Sequence, residues 1–460
     1  MRDLVVVGGG PCGYTAAIRA AQLGMQVSLV EKEKIGGACL NWGCIPTKTY
    51  YSNASTLRVL SRISELNVSL DGYRFDMAGA KQRKDNIVTH MSGGVTELLK
   101  ANNVEVIKGT AVIAARTKIR IDSKIMDCRH LLIASGASPI LLNMPGSNLP
   151  GVMTCRDILD LDSVPERLVI IGAGAIGIEF AYIFSTFGSR VIVLEGMPSI
   201  IPQLDQELGK RLAVYLKRQQ IALHTGIWVH AIEQHENRLR ISAKGSSGEM
   251  VAEADTVLIA AGMKPQIKGL GLEEVGVTVQ DGAIAVNSRF QTSVEGIYAA
   301  GDVIGGFMLA HVAAEEGIAA VEGMAGMEHR VAYHAVPQCI FSFPEIASVG
   351  LTEEMARARR IQYSIGRCLY GVSGQALAMG EAEGQVKVIA DPSGSILGVH
   401  IIGFHATELI QEAVLMVHRG MKIMEVGYTM HTHPTLGEVL KEAVLDAAGQ
   451  AIHVRRKAKK

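Results

Sequence analysis

The chain has 460 residues, a length that suggests about three domains. Its 45 Lys and Arg balance 45 Asp and Glu, and a net charge near zero argues against electrostatic binding of nucleic acid. No apolar run reaches the roughly 18 residues of a membrane span, and seven scattered cysteines do not form the pattern of a secreted disulfide scaffold.

The apolar run Leu4–Val7 stands almost at the start, so no targeting segment is expected before the fold and a reducing cytoplasm is the expected compartment. The run reads as a parallel strand covered on both faces. Gly8, Gly10 and Gly13 follow it at the GxGxxG spacing, then a helix to Gly24, a strand at Val27–Val30, and Glu31. The first glycine allows the turn and the second lets backbone reach a pyrophosphate. The third lets helix pack on strand, and the helix N-terminus faces the anion. Glu31 is placed to accept hydrogen bonds from a ribose diol. A bare GxGxxG is weak, but with its strand, helix and acid about 20 residues on it is the full dinucleotide fingerprint. Cys12, inside the turn, reads as a small packed residue.

Cys39 and Cys44 stand five apart, Gly36-Gly37 ahead of the first and Gly43 just ahead of the second, on what reads as a tight, exposed loop. Their sulfurs can meet if the Cα atoms come within roughly 4.4–6.8 Å. A redox pair, a structural disulfide and half of a zinc site all satisfy this spacing. Zinc needs more ligands close by, and in a reducing compartment a disulfide is more often catalytic.

Residues 50–102 look largely helical and 104–133 β-rich. Leu131–Gly136 reads as a buried strand entering a small-residue turn, where a cofactor can approach closely. Pro145–Pro150 reads as a linker. Residues 168–195 then repeat the first unit. A shift of 164 carries Gly8, Gly10, Gly13 and Gly24 onto Gly172, Gly174, Gly177 and Gly188, and Glu31 onto Glu195. Two units in fixed register indicate a duplication and two bound dinucleotides. Glu195, with no Lys or Arg across 195–209, suits a free 2′-hydroxyl and favours NAD over NADP. Arg190 is placed just before the second strand of this unit. A β-rich stretch (221–254) and Val257–Gly262 echo the first half, so whole domains are duplicated.

Gly296–Asp302 is a further strand, ending in Gly301-Asp302 where such sheets bind ligands. Leu309–Gly323 is helical in pattern. From about residue 335 no glycine fingerprint recurs. Val386–Ala390 and Ile396–Gly403 read as a hairpin, and Thr407–Arg419 as an amphipathic helix. His431-Thr432-His433-Pro434 with Glu438 leaves three readings open on local sequence: a metal site, an imidazole base oriented by a carboxylate, and ordinary packing. The final Val454–Lys460 is a basic tail, expected to be solvated and frayed.

Together these residues resemble the flavin-dependent pyridine-nucleotide disulfide oxidoreductases over essentially the full length. The runs Cys39–Lys48 and His433-Pro434-Thr435 with Glu438 carry the resemblance. Gly301-Asp302, the helix from Leu309-Ala310-His311 to Glu316-Gly317, and Pro344–Gly350 fit it as well. Thr47 and Cys12 stand where many members have serine and another small residue. The resemblance implies an α/β protein with two Rossmann-like dinucleotide-binding domains, for FAD and NAD, plus a C-terminal α+β dimerisation domain. The implied divisions are 1–146 for FAD, 147–266 for NAD, 267–334 as a central continuation of the FAD domain, and 335–460 as the interface domain.

It also implies roles. Cys39 is the interchange thiol, Cys44 faces the flavin, and Lys48 pairs with Glu179 beside it. Glu31, Gly136, Asp302 and Ala310 serve FAD, and Glu195 and Gly262 serve NAD. His433, oriented by Glu438 and supplied by the other subunit of a homodimer, moves the proton, and the bond before Pro434 is cis. Within the family the chain resembles the branch that oxidises a dihydrolipoyl group on a lipoyl-bearing protein of a multienzyme complex. Another flavoprotein disulfide reductase, glutathione- or mercuric-reductase-like, is the alternative. No metal, nucleic acid or membrane partner is implied.

Overall fold

Five parallel strands form the main part of the seven-stranded first sheet, in the spatial order Glu105–Lys108, Val27–Glu31, Arg2–Val7, Lys124–Ile133 and Ile297–Ala299. Leu4, Val5 and Val6 have no exposed surface, as a strand covered on both faces requires. The computed structural model describes residues 1–246 and 248–455, so most of the basic tail lies outside the described residues. Helices Pro11–Gln22 and Ala310–Met324 pack through small residues, Ala16 and Ala20 sharing a core with Ala313 and Ala320. Contact is so close that a Cβ at Gly317 would lie 2.6 Å from the Cys12 carbonyl oxygen. The first half of Lys124–Ile133 instead pairs antiparallel with Lys118–Ile121, which pairs with Ala111–Ala115.

The second sheet repeats the first: Ala222–Thr225, Arg190–Glu195, Arg167–Ile171, Thr256–Ile259 and Val152–Met153, all parallel. Register repeats as well. Val7 lies opposite Val30 and Ile133, and Ile171 lies opposite Leu194 and Ile259. Arg190 is the first residue of its strand rather than the residue before it, because it already pairs with Arg167. A three-stranded antiparallel layer, Ile227–His235, Arg238–Gly245 and Gly248–Ala254, accompanies this sheet.

The C-terminal sheet is antiparallel, in the order Gln338–Ile340, Glu345–Gly350, Ile396–Gly403, Gly384–Ala390 and Ser364–Leu369. Helices Ala406–Arg419 and Gly437–Ala447 cover it, Ile410 and Leu440 meeting Val386, Val388 and Ile401 in one core. Gly384–Ala390 is buried at every residue, including Lys387 at 1% exposure. Lys387 Nζ reaches the Asp205 carboxylate at 2.9 Å and Glu353 Oε2 at 2.7 Å. Since Asp205 caps helix Gln206–Arg218 of the second unit, this cluster joins that unit to the C-terminal sheet. Among the described residues no helix is long and apolar enough to cross a membrane.

One local expectation fails. The cysteine stretch is helical, as Gly37–Trp42 and Cys44–Ser61, with a break at Gly43. Gly36 and Gly37 at φ +98° and +56° supply the turn into the first helix, and Gly43 at φ −134°, ψ −110° separates the two. Both cysteines are half-buried rather than exposed.

Candidate active site

The two glycine turns are near copies. Gly8 and Gly172 have φ of +108° and +110°, and a side chain on either would run into a carbonyl oxygen, of Ala134 or Ala260. A side chain on Gly13 or Gly177 would meet the carbonyl of Gly8 or Gly172 in the same way. Gly9 N–H donates to Glu31 Oε2 at 2.7 Å, and Ala173 N–H to Glu195 Oε2 at 2.6 Å. The other oxygen of each acid accepts from the backbone two residues on, Glu33 N–H at 2.6 Å and Met197 N–H at 2.7 Å. No side chain caps the helices that begin at Pro11 and Ala175, so their first-turn N–H groups stay directed at the turn. Two cradles that exclude side chains and aim uncapped helix starts at one point fit two pyrophosphates.

Gly136 (φ +74°) and Gly262 (φ +105°) follow the strands that end beside these turns. Asp302 lies at the end of Ile297–Ala299, and burial raises its pKa. It has no paired cation among the described residues. Ala310 is the first residue of its helix, and Glu316 on that helix accepts Gly301 N–H at 2.8 Å, holding the Gly301-Asp302 turn.

The cysteine helix is seated on the first turn. Gly36 N–H donates to the Gly9 carbonyl at 2.8 Å, and a Cβ on Gly37 would stand 2.6 Å from Gly10 Cα. Two glycines in contact thus set Cys39 and Cys44 beside the first nucleotide cradle. The sulfurs are free thiols within hydrogen-bonding reach of each other. The Cys39 thiol donates to Cys44, and with the nearby Lys48 this lowers the Cys44 pKa to about 7 against the opposing effect of burial. Cys39 is correspondingly raised, first by that hydrogen bond and then by burial. The pair is therefore asymmetric, with Cys44 the sulfur that carries charge.

Lys48 lies one helical turn beyond Cys44 on the same helix. Its Nζ meets Glu179 Oε1 and Oε2 at 2.9 and 2.8 Å, and the Phe341 ring lies 4.6 Å away. Burial disfavours its charge, yet Glu179 leaves the Lys48 pKa raised. Glu179, only 5% exposed, comes from the helix after the second glycine turn and also accepts Phe341 N–H at 3.0 Å. This ion pair therefore spans the two nucleotide units.

His433 and Glu438 form a separate group. The His433–Pro434 bond is cis. His433 Nδ1 lies 2.9 Å from Glu438 Oε1, and Thr435 N–H donates to Oε2 at 3.0 Å. The hydrogen bond from His433 lowers the Glu438 pKa. His431 pairs with a different carboxylate, Glu412, at 3.0 Å. His433 is largely exposed, and within one protomer no hydrogen bond or ion pair among the described residues joins it to the cysteines.

Two contributors escaped the sequence reading. Phe341 supports the ion pair with both its ring and its N–H. Tyr14, one turn into the first fingerprint helix, lies near both cysteines, and burial followed by their charge raises its pKa.

Family models place this arrangement. The pyridine nucleotide-disulphide oxidoreductase model matches residues 2–317, and the dimerisation domain of the same family matches 336–444. A dihydrolipoyl dehydrogenase of Bacillus subtilis (strain 168) is 38% identical, over 98% of this chain and 99% of that protein. A dihydrolipoyl dehydrogenase of Thermus scotoductus is 38% identical over 98% of each. Among solved structures, LpdA of Mycobacterium tuberculosis superposes with a TM-score of 0.89 at 25% identity, covering 96% of this chain and 99% of that one. The HOCl-induced flavoprotein disulfide reductase RclA of Escherichia coli gives 0.86 at 27% identity, with the same coverage. With two glycine cradles, a thiol pair seated on one of them and an ion pair tying both together, the chain belongs to the pyridine nucleotide-disulphide oxidoreductase family.

Proposed function

We propose that this chain is a dihydrolipoyl dehydrogenase. It oxidises a dihydrolipoyl group to the lipoyl disulfide and reduces NAD⁺, with FAD in the first unit and NAD in the second. The observation that carries this reading is the asymmetric Cys39–Cys44 pair docked on the first glycine turn beside Lys48–Glu179. Relatives that carry the dihydrolipoyl dehydrogenase name at 36–38% identity along nearly the whole chain support it.

FAD, when bound, supplies transfer of an electron pair from a thiolate to the nicotinamide. The chain's own residues do the rest. Nδ1–H of His433 donates to Glu438, which leaves Nε2 as the base that takes a proton from one substrate thiol. The resulting thiolate attacks Cys39 Sγ in the oxidised pair, the Cys39–Cys44 bond breaks, and Cys44 leaves as a thiolate. The second substrate thiol then attacks the sulfur bonded to Cys39. That step closes the lipoyl disulfide and releases Cys39, which takes the proton held by His433 while His433 accepts the proton of the attacking thiol, so the two substrate protons end on Cys39 and His433 beside the Cys44 thiolate. Lys48 stabilises the charge on Cys44 meanwhile.

No hydrogen bond or ion pair among the described residues joins His433 to the cysteines of its own chain, and 336–444 match a dimerisation domain, so the proposed dimer supplies His433 to the partner's cysteine pair. A lipoyl-bearing protein of a multienzyme complex is the proposed donor, and the cytoplasm the proposed compartment. An anaerobic titration of the flavin-loaded enzyme with dihydrolipoamide tests the reading. A long-wavelength thiolate-to-flavin band and, on adding NAD⁺, stoichiometric NADH are expected. Absence of NADH overturns the reading. The likeness to RclA favours a second one, a reductase that uses NADH against another disulfide. NADH oxidation by that disulfide with no response to dihydrolipoamide selects it.

A further inference from the structure

The two nucleotide units differ at one place near the acid that closes each fingerprint. After Glu195 comes Gly196, and the indole of Trp228 lies flush on it: a Cβ at Gly196 would be 2.9 Å from three indole atoms. Trp228 follows the turn that leaves strand Ala222–Thr225, the parallel neighbour of Arg190–Glu195. Gly226 N–H donates to the Met197 carbonyl at 2.9 Å, and Met197 N–H to Glu195 Oε1 at 2.7 Å. The backbone that leads into Trp228 is thus tied to the segment that holds the ribose-binding acid. Even so, 64% of its surface is open, unusual for the largest side chain. In the first unit the matching position after strand Glu105–Lys108 is Ala111, which is buried.

From this geometry we infer that Trp228 is the stacking wall for the adenine ring of the dinucleotide in the second unit. The inference rests on the reading of that unit as the NAD site. Open parallel sheets bind ligands beyond the C-terminal ends of their strands, and Glu195 and Thr225 are such ends. An acid that binds the adenosine ribose leaves the base within reach of the next residues, here a glycine and an indole. A flat, exposed aromatic face set against backbone on its other side is what a purine stacks on, and an indole has few rotamers to lose. Gly196 is required because any side chain there would lift the indole off the backbone. The competing account is that the indole only fills the space that a side chain at 196 would occupy.

The test uses ADP-ribose, which has the adenine and lacks the nicotinamide, against the FAD-loaded enzyme. The chain has two tryptophans, so Trp228→Phe isolates the signal. Saturable quenching of tryptophan fluorescence is expected in the wild type and is expected to vanish in Trp228→Phe. By calorimetry that variant should keep its ADP-ribose Kd within about threefold, whereas Trp228→Ala should weaken binding by about tenfold. Nicotinamide mononucleotide, with no adenine, should bind all three proteins alike. An unchanged Kd in Trp228→Ala overturns the stacking role alone. Failure of ADP-ribose to bind the wild type overturns both this role and the NAD reading of the second unit.

Discussion

A single hydrogen bond between two sulfurs divides the work of the cysteine pair. Cys44, lowered to about 7, exchanges its proton in the physiological range, while Cys39 holds on to its own. The sign follows directly: the Cys44 thiolate is present above about pH 7 and is lost as pH falls through it. Ultraviolet thiolate absorbance of the reduced enzyme should therefore rise with a midpoint near 7, and Lys48→Met should move that midpoint upward. A midpoint unmoved by Lys48→Met contradicts the assigned electrostatics. Cys44→Ser is expected to abolish dithiol-dependent NAD⁺ reduction, and His433→Gln to slow it by on the order of 10²–10⁴, both read by initial rates of NADH formation. At this scale the sequence was informative wherever chemistry fixes residue type and spacing together, as at Cys39, Cys44 and Glu31. It was silent on Phe341, which acts through a backbone N–H and a ring face toward Glu179, 162 positions away. Those demands are met by many residue types and leave no pattern.

Strands and glycine turns were legible for a similar reason. The turn after Leu4–Val7 allows no Cβ at Gly8, so the glycine has to be written in the sequence. Gly172→Ala repeats that conflict in the second unit, where φ is +110°. It is expected to weaken NAD⁺ binding and to cost about 1–3 kcal/mol of stability while FAD content is retained. Calorimetry with NAD⁺ and flavin absorbance after desalting check both halves. The cysteine helices were not legible. Glycines at 36, 37 and 43 carry loop signals, yet Gly36 and Gly37 form the entry turn and Gly43 the break between two helices. Tertiary contact of Gly37 with Gly10 decided the local conformation, and no window of sequence contains both residues.

At the scale of the whole molecule, the joint between the second unit and the C-terminal sheet is a buried ionic cluster. Lys387→Met would leave Asp205 buried without its cation, and a loss of about 3–5 kcal/mol is expected in denaturant unfolding. Glu207, in the same cluster, is opposed by burial but hydrogen-bonded by Arg367 and Gln385, and its pKa falls to about 2 from 4.5. A depressed carboxylate contributes stability that is complete above its unfolded pKa and lost as pH falls through the folded value. The joint should therefore hold well below pH 4.5 and loosen as pH approaches about 2, visible in acid unfolding curves. Assembly has its own test. Subunits carrying His433→Gln, severely slowed alone, and Cys44→Ser, inactive alone, should regain NADH formation when refolded together if the proposed dimer sets one intact cysteine pair against one intact histidine. None of this joint was readable beforehand, because Lys387 looks like an ordinary strand residue until Asp205, 182 positions earlier, is placed against it.

Strand Ile297–Ala299 has a bearing on how the chain comes to be folded during synthesis. It pairs with Leu131–Ile133, yet the ribosome delivers it only after the whole second unit has been made. At usual synthesis rates that interval is on the order of 10–30 s. Through it the growing polypeptide carries an open hydrophobic strand edge beside the first cradle, with Asp302 not yet delivered. The second unit, by contrast, can close all five of its strands as soon as Thr256–Ile259 emerges. Maturation would then run out of sequence order, the second unit complete before the first, with capture of the first unit's dinucleotide, proposed to be FAD, as the late event. A chain halted before residue 297 should be sticky and colourless even though its second cradle is whole.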